Sequence, residues 1–178
     1  MQITKEFLVE KESCLRGLNW FKNQSETDLY RLIDKLIQEQ HEDWANWLIV
    51  RSMNRPQQLQ YAISCAELVL PIFETKYPLD RRPRAAIEAA KAVLEEDSQE
   101  NRDVAACAAH AAYRTTYRTT DVARAAYAAE AAERVAYAAC TVNTVSSAAD
   151  ATAAVWSAAR AADWKQVLEI GIDILKGK

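Results

Sequence analysis

The chain has 178 residues, of which 26% are charged and 50% hydrophobic, with a formal net charge of -3. That slightly acidic balance argues against general binding to nucleic acid or to an anionic membrane surface, and no uncharged apolar stretch is long enough to span a bilayer. Three glycines in the whole chain leave no room for a glycine-rich phosphate loop.

Thr4 to about Asn23 is predicted as one helix, with Phe7, Leu15, Leu18 and Phe21 as core candidates. Ser25-Glu26-Thr27-Asp28 resembles a capping box, and the stripe Leu29, Leu32, Ile33, Leu36, Ile37 behind it has helical spacing. A third helix is predicted from His41 to Met53, carrying Trp44, Trp47, Leu48 and Val50. Asn54-Arg55-Pro56 breaks the chain, with Pro56 in the first turn of a fourth helix that reaches Lys76 and is expected to kink or stop at Pro71. Tyr77 to Pro83 is rich in helix breakers, and a fifth helix runs from Pro83 to about Glu96.

Beyond Asp97-Ser98 the composition changes. From Val104 to Ala162, 25 of 59 residues are alanine, and no glycine or proline occurs between Arg84 and Ile170. Alanine loses no side-chain entropy on entering a helix, so this stretch is predicted as three helices, broken near Thr119-Thr120-Asp121 and Thr141-Val142-Asn143-Thr144. A last helix spans Asp163 to Lys176. The fold class is therefore all-α: a multi-helix bundle or array with tightly packed alanine-rich C-terminal helices. One helical domain, 1–178, is expected, with an aromatic and leucine-rich half (1–83) and an alanine-rich half (84–178).

The start of the chain lacks the basic and then apolar pattern of a secretory signal. The four cysteines, Cys14, Cys65, Cys107 and Cys140, lie far apart and read as buried small apolar residues of a cytoplasmic protein rather than a disulfide framework.

Three polar constellations stand out. Asp80, Arg81, Arg82 and Arg84 surround a helix N-terminus, where guanidinium groups oppose the positive end of the helix dipole. Internal pairing offsets this if Asp80 caps the helix and Arg84 pairs with Glu88; the alternative is an external phosphate or carboxylate. Asp43, Trp47 and Arg51 share one helical face with Trp44 beside it, suited either to a buried aromatic core or to anchoring a protein partner. In the alanine region, Arg114/Tyr117, Arg124/Tyr127 and Arg134/Tyr137 recur every ten residues, drifting by about 80° per repeat around a helix. These side chains either fill gaps and pair with Asp121, Glu130 and Glu133, or project from an alanine floor to stack bases and grip acidic groups. Cys107 and His110 lie one helical turn apart, but His41 is the only other histidine. No metal site, cofactor or catalytic set is assembled from them.

The stretches Cys14-Leu15-Arg16-Gly17-Leu18-Asn19-Trp20, Trp44-Ala45-Asn46-Trp47-Leu48-Ile49 and Tyr77 through Asp80-Arg81-Arg82-Pro83-Arg84 to Ala90, followed by the long alanine- and tyrosine-rich tail, resemble the Imm-5-like immunity proteins of bacteria and phages. The resemblance implies a small all-helical protein of a conflict system, acting by binding and without catalysis in a bacterial or phage-infected cell. On that basis the leading expectation is an immunity-type inhibitor that neutralises a toxin or effector protein. The alternative is a phage anti-defence protein that blocks a host effector or sequesters an anionic nucleotide signal, using Arg81, Arg82 and Arg84 for phosphate. Self-association through the alanine faces into a homo-oligomer is a third option.

Overall fold

A computed structural model describes residues 1–116, 123–141 and 144–177. Ten helices are found among them: α1 Lys5–Glu10, α2 Leu15–Lys22, α3 Leu29–Gln38, α4 Glu42–Ser52, α5 Arg55–Lys76, α6 Arg82–Glu95, α7 Gln99–Thr116, α8 Ala123–Cys140, α9 Thr144–Ala161 and α10 Trp164–Leu175. The described residues contain no strand. An isolated antiparallel bridge between Gln2 and Asp28 ties the N-terminus to the start of α3, through Ile3 N–H donating to the Thr27 carbonyl at 2.7 Å and Leu29 N–H to that of Met1 at 2.9 Å.

The predicted first helix, Thr4 to Asn23, is instead two short helices. After α1 the chain turns through Glu12, whose φ is 59°. Glu12 N–H donates to the Val9 carbonyl at 3.1 Å and Ser13 N–H to that of Leu8 at 2.9 Å. This is a Schellman turn built without its usual glycine. A second such turn ends α3 at Gln40, with φ 60°, where His41 N–H reaches the Leu36 carbonyl at 2.8 Å.

The other starts follow local chemistry. Asp28 itself, rather than Ser25, caps α3, accepting from Tyr30 N–H at 3.1 Å. Asn54 and Gln57 form a reciprocal capping box at α5. The helix α5 continues through Pro71 to Lys76 instead of stopping there. The breaks foreseen at 119–121 and 141–144 fall largely outside the described residues, but α7, α8 and α9 flank them as expected.

Packing is organised around α8, which contacts α5, α6, α7 and α9, while α4 and α10 lie against each other and both touch α9. The core of the first half is bulky: Leu32, Ile33, Ile49, Tyr61, Ile63 and Phe73 are each at most 2% exposed. On α8 the buried positions are methyl groups, Ala125, Ala128, Ala129, Ala131, Ala132, Ala136 and Ala139 among them. One cluster of buried residues runs continuously from Ile3 to Leu168. All four cysteines are free; Cys65 is buried and Cys140 half-buried, but Cys14 and Cys107 are exposed. Cys14 is outside the core because it caps α2, its Sγ accepting from Gly17 N–H at 3.3 Å.

Candidate functional site: a tryptophan-lined cavity

The face shared by Asp43, Trp44 and Trp47 on α4 opens onto a cavity of about 580 Å³. The turn after α1 and the start of α2 form a second wall through Glu12, Ser13, Cys14 and Trp20, and α9 closes the third with Thr152, Ala153 and Trp156. Four of the five tryptophans thus line one space. Their orientations are fixed by partners outside it. Trp20 Nε1–H donates to Glu39 at 2.6 Å, and the His41 ring stacks on Trp44 with centroids 4.3 Å apart.

Among the described residues, two buried polar atoms on the lining residues have no hydrogen-bond partner: Ser13 Oγ and Asn46 Oδ1. The orientation of Asn46 follows from chemistry. Its amide NH₂ donates to the Thr152 carbonyl at 3.2 Å, which only the nitrogen end can do, so the oxygen is the atom left over. The carboxylates on the lining are those of Glu12 and Asp43, both on exposed residues. Arg51 is not on the lining. Its guanidinium lies 5.9 Å from the centre of the Trp47 ring, and burial pulls its pKa down while the nearby Glu12 charge resists that.

Beside the cavity, Trp156 continues into a stacked cluster. The Arg160 guanidinium sits 4.4 Å from the Tyr127 ring centre and 4.6 Å from that of Trp156, and the two rings meet edge to face at 6.5 Å. Trp156 and Arg160 are exposed and Tyr127 is half-buried.

The remaining sequence candidates lie elsewhere. Arg82 donates to Asp80 through Nε at 2.9 Å and a terminal nitrogen at 2.5 Å. Arg84 forks onto Glu74 at 2.7 and 2.6 Å, not onto Glu88, which pairs with Lys91. Arg81, mostly exposed, is 3.9 Å from Glu74. These pairs hold both acids below the ordinary carboxylate range, chiefly through the hydrogen bonds from Arg82 to Asp80 and from Arg84 to Glu74. Asp80 also accepts from Arg82 N–H at 3.1 Å, so it serves the first turn of α6 although Arg81 occupies the cap position. Arg124 donates to the Ala161 carbonyl at 2.7 Å, holding the C-terminal end of α9, where a cation is favoured. Arg114 is exposed on α7, and Tyr117 lies outside the described residues. His110 meets Tyr137 OH at 3.3 Å. Among the described residues no group of three or more His, Cys, Asp or Glu could hold a metal ion, and no helix is long and apolar enough to cross a membrane.

Sequence reasoning missed Glu12, Ser13, Asn46, Thr152, Trp156 and Arg160 as site residues. Trp156 alone carried a signal, as the one tryptophan within the alanine run.

A protein family matches residues 48–168, from the end of α4 to the start of α10. The matched span holds Tyr77 to Ala90, the alanine-rich helices and the α9 wall of the cavity, whereas Cys14–Trp20, Asp43, Trp44 and Trp47 precede it. No curated protein and no solved structure matches the chain at a significant level. With well over half of its length matched, the chain belongs to the family described as Imm-5 like putative immunity protein.

Proposed function

We propose that this chain is a non-catalytic immunity-type inhibitor that binds a toxin or effector protein and neutralises it by occlusion. Family membership supports the class, and the observation that carries the binding surface is the Trp156–Arg160–Tyr127 stack. It lies within the family-matched residues, and it presents the three residue types that dominate interface hot spots from the adjacent helices α8 and α9. The net charge of -3 favours a partner with a basic surface and would speed association with it. Sequestration of an anionic nucleotide draws weaker support, because Arg82 and Arg84 already hold carboxylates of their own chain.

Native mass spectrometry of the chain purified gently from cells of its own host tests this reading. The expected result is a retained partner chain that is lost when Arg160 is changed to Glu, with the unfolding midpoint unchanged. A bare mass, or a partner retained equally by the Arg160→Glu chain, would exclude inhibition through this surface.

A further inference from the structure

The cavity itself asks for a ligand that the inhibitor reading does not supply. Its volume, about 580 Å³, lies within the roughly 300–1,000 Å³ typical of small-molecule sites. Its walls are apolar and aromatic, and indole faces carry a negative quadrupole that attracts cations. The ionised groups on its lining are both acids, Glu12 and Asp43. No ion pair engages Asp43 among the described residues. Aromatic walls and exposed carboxylates on the lining select the same chemistry. Arg51 is off the lining; its guanidinium lies 5.9 Å from the centre of the Trp47 ring and interacts with the Glu12 charge, which leaves Asp43 as the less compensated of the two lining carboxylates.

We infer that this cavity binds an amphiphilic organic cation, an ammonium group carried on an apolar body. The ring faces and the Asp43 and Glu12 carboxylates receive the charge, and the leucine and phenylalanine side chains of the lining receive the body. Because Asp43, Trp44, Trp47 and the α1–α2 wall lie outside residues 48–168, this binding is assigned to the present chain and not to the family, and it does not depend on the toxin-inhibitor reading.

Tryptophan fluorescence of the full chain reads the site directly, since four of its five tryptophans line it. The probes are benzyltrimethylammonium, its uncharged isostere neopentylbenzene, and the anion phenylacetate. The expected result is saturable quenching by the cation at about tenfold lower concentration than by the neutral isostere, the combined worth of one ring contact and one exposed carboxylate. Phenylacetate should bind weakest. Asp43→Asn and Glu12→Gln, both at exposed positions, should each lower the cation-to-neutral preference several-fold while leaving neopentylbenzene binding and the thermal midpoint in place. Equal binding of cation and neutral probe, tighter binding of phenylacetate, or no saturable quenching by any of the three would overturn the inference. An Arg160→Glu chain that loses its protein partner yet still binds benzyltrimethylammonium would separate the two functions.

Discussion

Gly171 is the point at which α10 meets the body of the protein. A β-carbon there would stand 2.6 Å from the Tyr61 ring and 2.9 Å from an Ile49 methyl, and both neighbours are fully buried. Gly171→Ala is therefore expected to cost about 1–3 kcal/mol by overpacking, read as a lower urea midpoint at unchanged slope. The two non-glycine residues with left-handed φ among the described residues act in the opposite sense. Gln40 holds φ 60° with a side chain, so Gln40→Gly should stabilise the chain by about 0.5–1 kcal/mol, visible as a raised thermal midpoint. Glu12 is in the same conformation, and Glu12→Gly should bring a similar gain. There the gain removes a carboxylate from the cavity lining, so stability and cation preference should move in opposite directions.

At the scale of elements, the junction of α5 and α6 is held by Asp80–Arg82 and Glu74–Arg84. Both acids have lowered pKa values, so the folded chain binds fewer protons than the unfolded one as they titrate. Their stabilisation is complete above the unfolded carboxylate range and is lost as the pH falls through the lowered folded values. Arg82→Ala should flatten that part of the stability–pH profile. The loss near neutrality should be below about 1 kcal/mol, because the pair is partly solvated. Urea midpoints across the acid range would measure both effects. The helices themselves were legible from simple punctuation: Asn54-Arg55-Pro56, the Tyr77–Pro83 run, and alanine uninterrupted by glycine or proline. The division of α1 from α2 was not, since a left-handed glutamate leaves no mark on the sequence. The three-walled cavity was legible only in its α4 part. Asp43, Trp44 and Trp47 could be placed on one face by spacing, but Glu12 and Trp156 reach them only through tertiary packing. The arginines misled for a related reason. Glu74 sits ten residues from Arg84 on another helix, so helical spacing pointed to Glu88.

At the scale of the whole molecule, α8 is surrounded on four sides by other helices that approach its methyl groups. Volume is the constraint there. Ala132→Leu should destabilise the chain by about 1–3 kcal/mol, whereas Ala123→Leu on the same helix, at an exposed position, should stay within about 0.5 kcal/mol. Chemical denaturation of the pair checks that closeness of packing, rather than helix propensity, fixes alanine in the interior.

Those methyl contacts also set how the protein responds to temperature. A methyl group removes little apolar surface from water, so unfolding α7, α8 and α9 rehydrates less of it per residue than unfolding a leucine-filled core. Apolar hydration is the source of the heat-capacity increment on unfolding, which averages about 12–15 cal/mol/K per residue. Calorimetry should place this chain below that range, and its free-energy curve should be correspondingly broad, with stability little changed between the cold and the working temperature of the cell.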